Sequence, residues 1–250
     1  MKTVNSDVAY DYIRKRILNG EYPPGHPLMT YELSRAIGVS RTPVRDALRQ
    51  LESDGLVSIR ARLGASVKKM SLKEFREMCG LRFALESYAA YLAAQERTGE
   101  DLREMALTLE TMRRLSERLI AAKKEDKPTL DQLRVEDVRF HIAIITSAKS
   151  ELLKQEVLRL HIVNRVVSGP TPGQHNSPEG KAARDARRRE VIRSHEKIHE
   201  AIARGNPVAA KDAMERHIQD IIDTAIRDMS LAEHQASARP LTEEELSYAT

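Results

Sequence analysis

Residues 38–57 read GVSRTPVRDALRQLESDGLV. Gly38 is a natural stop for whatever helix precedes it, and Ser40 is suited to cap the next one. Pro43 falls in that helix's first turn, where its missing N–H costs little. From Arg41 to Ser53 the residues Val44, Ala47, Leu48 and Leu51 recur at helical spacing and make one apolar face. Arg41, Arg45 and Arg49, four residues apart, form a basic stripe that leaves this face free to pack. The N-terminal residues Ser40, Arg41, Thr42 and Arg45 are hydrogen-bond donors suited to phosphates and guanine edges.

The flanks agree with that reading. A helical stripe of Val8, Tyr12, Ile13 and Ile17 runs from Ser6 to Leu18, and NGEYPPGHPL (19–28) then breaks it with Gly and Pro. A short helix is expected from about Thr30 to Ile37. Downstream, DGLVSIRARLGASVKK (54–69) holds two short β-prone runs around Gly64, which predicts a hairpin. Helix, helix, tight turn, helix and hairpin make a winged helix-turn-helix over residues 1–70.

Charge is unevenly placed along the 250 residues. Residues 1–70 hold 12 Lys/Arg against 7 Asp/Glu, a net of +5, while the rest holds 29 against 30, a net of −1. A small basic unit joined to a near-neutral larger one fits a polyanion partner for the small one. No run approaches the eighteen apolar residues of a membrane span, and the N-terminus lacks the apolar core of a signal peptide, so no membrane and a cytoplasmic location are expected. The single cysteine, Cys79, agrees with a reducing compartment.

From Ser71 onward the periodicity predicts helices at about 71–97, 101–123, 128–148, 150–167, 181–204 and 207–231, an all-α effector unit over 71–231. The Gly/Pro-rich stretch 168–180 is expected to be a mobile loop, and 232–250 a polar tail. Helical wheels show polar residues on apolar faces: Asp137 and His141 among Leu130, Leu133, Ile144 and Ile145; His195 among Val191, Ile192, Ile198 and Ile202; His217 among Ala210, Met214 and Ile221. A lone histidine on such a face is usually a satisfied core residue. Four polar groups buried from three helices without a partner would be costly, and one shared divalent cation satisfies them together.

The run GVSRTPVRDALRQLESDGLV closely resembles the DNA-binding domain of GntR-family bacterial transcriptional regulators. That resemblance implies operator contacts from Ser40, Arg41, Thr42, Arg45 and Arg49, with Gly64 at the tip of a wing entering the minor groove. It departs from some members at Tyr31, where they carry a basic residue. EDVRFHIAI (136–144) and SHEKIHEAIARGNPVAAKDAMERHI (194–218) resemble the motifs of the FCD domain, the all-helical effector domain of the FadR-like subgroup. The resemblance implies that Asp137, His141, His195 and His217 are metal ligands. Zn2+ is the first expectation, with Ni2+ or Mn2+ as alternatives. It further implies a homodimer on a palindromic double-stranded DNA operator and a small organic-acid effector.

By the wheels Arg82 and Arg134 also face inward. For Arg82 a salt bridge with Glu86 competes with a bidentate clamp on an effector carboxylate, and for Arg134 a snorkelling surface residue competes with the same role. Two other functions stay open. One is a regulator for which the metal ion is itself the signal. The other is a hydrolase, because residues 195–199 spell HEKIH, the H-E-x-x-H string of zinc peptidases. On the wheel, however, His195 faces the isoleucines while Glu196 turns toward solvent and His199 sits on the flank, so the expectation is no enzyme.

Overall fold

The computed structural model describes residues 2–122, 124, 126–167 and 178–237. The order is α1 (Lys2–Leu18), α2 (Thr30–Ile37), α3 (Arg41–Ser53), β1 (Val57–Arg60), β2 (Gly64–Val67), α4 (Leu72–Glu96), α5 (Gly99–Ala121), α6 (Lys127–Ser147), α7 (Glu151–Val167), α8 (Pro178–Ala203) and α9 (Pro207–Ser237). The chain is therefore mainly α, a winged helix-turn-helix followed by a helical bundle.

In the N-terminal unit α2 ends at Gly38, whose φ of 77° is the left-handed cap that glycine adopts without strain. Val44, Ala47, Leu48 and Leu51 are buried, so α3 packs on the face its sequence implied. The wing is antiparallel, with Val57 opposite Val67 and Arg60 opposite Gly64. Leu28 N–H donates to Ala65 O, tying the preceding loop to the wing at 2.8 Å.

The larger unit alternates direction. A capping box at Ser71 and Glu74 starts α4, and a second at Thr98 and Asp101 starts α5. Helices α4, α6 and α8 lead away from the winged helix-turn-helix, and α5, α7 and α9 return. At the far end Arg97 reaches the carbonyl of Ala203, and at the near end Lys181 donates to Ile120 O at 2.8 Å. The first core cluster crosses between the units. Ile13, Leu33, Leu48, Leu51 and Leu56 are buried together with Phe75, Met78 and Cys79 of α4 and Val163 of α7, with Ile222, Ala225 and Ile226 of α9 packed alongside. No helix among the described residues is long and apolar enough to cross a membrane.

Boundaries differ in places. Helix α1 begins at Lys2 rather than Ser6, and α8 at Pro178 rather than 181. Proline is well tolerated at a first helical position, so the Pro-Gly composition there hid a helix start. Helix α9 runs to Ser237 because Leu231-Ala232-Glu233 continues with good helix formers. Most of the expected loop (168–177) and the end of the expected tail (238–250) lie outside the described residues.

Candidate metal centre and nucleic-acid interface

On α3 the side chains of Ser40, Arg41, Thr42, Arg45 and Arg49 are all exposed. Ser40 makes no side-chain cap bond, which leaves its hydroxyl available to a partner. Tyr31 is exposed beside them, and the guanidiniums of Arg41 and Arg35 lie over its ring at 5.3 and 5.7 Å. The ring thus steadies Arg41 at the start of α3. Gly64 follows the wing turn with φ of 85°, and Arg62, also at positive φ, stands in the turn itself. Arginines 35 and 62 were missed by the sequence reading, although both are basic residues flanking the helix and hairpin it identified.

In the bundle, His141 of α6, His195 of α8 and His217 of α9 are almost fully buried, and one ring nitrogen from each lies within 4.8 Å of the others. The contacts of their outer nitrogens, hydrogen bonds for His195 and His217 and a close approach to a carboxylate for His141, indicate which nitrogen faces in. His195 Nδ1–H donates to Val191 O at 2.8 Å. The Ser194 hydroxyl donates to Val191 O, so its oxygen accepts from His217 Nδ1–H at 2.8 Å. His141 Nδ1 lies 2.7 Å from Glu86 Oε2, a carboxylate oxygen that can only accept. All three rings therefore turn Nε2 inward. Nε2 of His141 and of His217 are 3.2 Å apart, and Nε2 of His195 is buried without a hydrogen-bond partner. Asp137 stands at the rim, partly exposed, with Oδ1 3.4 Å from His195 Nε2.

Two lone pairs aimed at each other across 3.2 Å repel unless a proton or a cation lies between them. Two nitrogens sharing one ion at about 2.1 Å each come no further apart than roughly 4.2 Å. The donor set, the orphaned His195 Nε2 and the outward-engaged Nδ1 atoms all fit a divalent cation. Burial pushes His195 down to about 4 and holds His217 well below the usual imidazole range. Burial opposes charge on His141 too, but Glu86 and Asp137 outweigh it and raise that group. Neutral imidazole is the state that ligates metal. Phe140, edge-on to His195 at 4.8 Å, closes the floor.

A second buried group adjoins the first. Glu86 Oε1 accepts from Arg82 Nε at 2.7 Å and lies 3.2 Å from His161 Nε2 of α7. Burial alone would raise Glu86, yet Arg82, His161 and His141 hold it well below the carboxylate range. His161 was missed by sequence reading. It continues the stripe Leu153, Val157 on the buried face of α7, so the wheel applied to the other helices would have found it. Arg82 faces inward as expected, in the salt bridge with Glu86. Arg134 does not. Its side chain is 59% exposed and pairs with Asp131 one turn away. The inward face of α6 is instead filled by Phe140, His141, Ile144 and Ile145, and its first turns lie less covered.

The HEKIH string divides as the wheel suggested. His195 belongs to the cluster, while Glu196 is held by Arg113 of α5 at 2.6 Å. His199 is half-buried and stands outside both buried groups.

Comparison with known proteins agrees with both units. The family of bacterial regulatory proteins called gntR matches residues 5–67, and the FCD domain matches residues 77–220. The HTH-type transcriptional regulator YdhC of Bacillus subtilis, itself uncharacterized, is 29% identical over 208 residues, spanning 83% of this chain and 85% of that protein. The probable D-xylose utilization operon transcriptional repressor of Paenarthrobacter nicotinovorans is 28% identical over 222 residues, 86% of each chain. The HTH-type transcriptional repressor RspR of Escherichia coli is 28% identical over 222 residues, 88% of each. Among solved structures, E. coli McbR/YncC superposes with a TM-score of 0.66 at 20% identity, over 91% of this chain and 99% of that one. A putative GntR regulator from Rhodococcus sp. RHA1 gives 0.65 at 20% identity, over 90% and 98%. With a DNA-binding head of that first family and an FCD domain over more than half its length, the chain belongs to the FCD-containing GntR family and is a DNA-binding transcriptional regulator rather than an enzyme.

Proposed function

We propose that the chain is a metabolite-responsive repressor that acts in the cytoplasm, binding a palindromic operator as a homodimer. Residues 1–70 form the DNA-reading unit, with Ser40, Arg41, Thr42, Arg45 and Arg49 on the operator and the Gly64 wing beside the minor groove. The effector unit from residue 71 onward holds a divalent ion, Zn2+ in first place, through His141, His195 and His217, with Asp137 at the rim. The observation that carries this reading is the inward convergence of three buried Nε2 atoms, with Nδ1 of His195 and His217 hydrogen-bonded outward and Nδ1 of His141 2.7 Å from Glu86 Oε2. A bound ion supplies Lewis acidity and open positions for an anionic ligand. The half-exposed rim at Asp137 is the side from which a small carboxylate would enter. Arg82 can clamp such a carboxylate only if Glu86 yields it.

Two relatives named as repressors favour repression over activation. Bias between two arrangements of the dimer then sets operator affinity. Elemental analysis with native mass spectrometry of the purified protein tests the metal and the dimer. Operator binding by fluorescence anisotropy, with and without a panel of small organic acids, tests the response. A monomer without stoichiometric metal, indifferent to every acid, would sink the proposal. The runner-up, an ion that is itself the signal, is favoured by how fully the three histidines are enclosed. It predicts operator release on adding or chelating the ion alone.

A further inference from the structure

We propose that Glu86 is the positioning residue of the histidine centre, accepting the Nδ1 proton of His141 so that Nε2 faces the ion, with Arg82 and His161 locking the carboxylate in place. The inference rests on the metal reading above and concerns residues outside its ligand set. Glu86 is buried on α4, a helix that supplies none of the four ligands. Its Oε2 faces His141 Nδ1 at 2.7 Å, on the side of the ring away from His195 and His217. Its Oε1 is held by Arg82 at 2.7 Å and faces His161 at 3.2 Å.

Stability alone does not explain this arrangement. A buried arginine–glutamate pair is on balance neutral or unfavourable compared with apolar residues of the same volume. Arg82 by itself would neutralise the carboxylate. The additional engagement of a ligand histidine gives the pair its purpose. An imidazole free to carry its proton on Nε2 presents an N–H to the cation, whereas one whose Nδ1–H is claimed by a carboxylate presents a lone pair. For His195 and His217 the same duty falls to Val191 O and Ser194 Oγ. Each ligand ring thus has one outer acceptor, and only that of His141 is charged.

Glu86, His141 and His161 could themselves be taken for a second cation site, since one ligand atom from each lies within 4.8 Å of the others. Two features oppose this. The Arg82 guanidinium already sits on the carboxylate, and a neutral His141 cannot offer lone pairs on both nitrogens.

The test measures Zn2+ affinity of the full chain by competition with a chromophoric chelator, together with 15N spectra of the imidazoles. Wild type should bind one Zn2+ per chain, with His141 in a single Nδ1–H tautomer. Glu86→Gln, isosteric but uncharged, should bind roughly 10–100-fold more weakly and lose that single-tautomer signature. His161→Gln leaves the Arg82–Glu86 pair intact and should show a smaller loss. It keeps the test decisive if the Glu86 variant does not fold. His195→Ala should abolish binding. Unchanged affinity and tautomer in the folded variants overturns the assignment. So does a wild type with two ions that drops to one in Glu86→Gln, which would make Glu86 a direct ligand. If wild type and His195→Ala alike bind no Zn2+, the metal reading itself has failed, and the assignment falls with it.

Discussion

Replacing Arg82 with Met keeps most of the side-chain volume and strands a carboxylate in the bundle. Arg82 is 6% exposed and Glu86 1%, so neither group can recover water without opening the helices. Removing one partner of such a pair costs about 3–5 kcal/mol, because the survivor is left charged and desolvated. His141 and His161 still face Glu86, at 2.7 and 3.2 Å, and hold the loss near the lower end, about 3 kcal/mol. For a chain of this length that corresponds to a fall of roughly 6–12 °C in Tm. Urea unfolding followed by far-UV circular dichroism, with a chelator present so that metal does not contribute, gives the value directly. The diagnostic comparison is Arg82→Met combined with Glu86→Gln. It removes the stranded charge but keeps an acceptor for the histidines, and it should recover half or more of the loss. A single variant costing under about 1 kcal/mol, or a double variant no better than the single, would refute a buried and mutually dependent pair.

Arg45→Ala and Arg41→Ala should each weaken operator binding roughly 10–100-fold, the worth of one good base contact, with the melting curve unchanged. Anisotropy titrations at several salt concentrations check this, and full retained affinity contradicts the docking. Free Zn2+ at 100 times its Kd should add about 2.7 kcal/mol of stability to wild type and to His199→Ala, and none to His195→Ala. A melt of His199→Ala that ignores Zn2+ would restore the two-histidine reading of HEKIH. Metal-free protein should lose stability as pH falls from about 6.5 toward 4. His195 stays neutral down to about 4 when folded, while in the unfolded chain it charges near 6.5. That group contributes fully above 6.5 and forfeits at most about 1.4 kcal/mol per pH unit below it. A flat profile between pH 6.5 and 4.5 would mean that His195 is not buried. Gly55→Ala should cost about 1–2 kcal/mol, because Gly55 has φ of 79° and a Cβ there would meet Val163 Cγ2 at 3.2 Å. An unchanged Tm would show that the α7–head approach is looser than described.

Much of this was legible in the order of residues. Gly38, Ser40 and Pro43 mark the turn and helix start, and an uninterrupted period at Val44, Ala47, Leu48 and Leu51 leaves α3 one way to pack. His141, His195 and His217 were visible because each interrupts an apolar stripe. The wheel failed where coverage varies along a helix. Arg134 has the angle of an inward residue, but the first turns of α6 lie less covered, and angle without coverage does not bury a side chain. Glu86 was visible only as a partner for Arg82. Its contacts with His141 and His161 join helices separated by more than 50 residues in the chain, and no local period encodes them. The extra turns of α8 and α9 were hidden for another reason: Pro178 signals equally a loop and a helix start, and Leu231–Ser237 has propensity but no apolar face to announce it.

The cluster that joins the head to α4, α7 and α9 bears on how such regulators can be recombined. A DNA-reading unit cut after residue 70 would leave behind Phe75, Met78, Cys79 and Val163, which complete its interior. Grafting it onto a foreign effector domain therefore means transplanting a socket as well as a plug. Chimeras that exchange specificity within this architecture should succeed when the crossover keeps these side chains with the head, or matches them in volume. They should aggregate when it follows the sequence boundary alone.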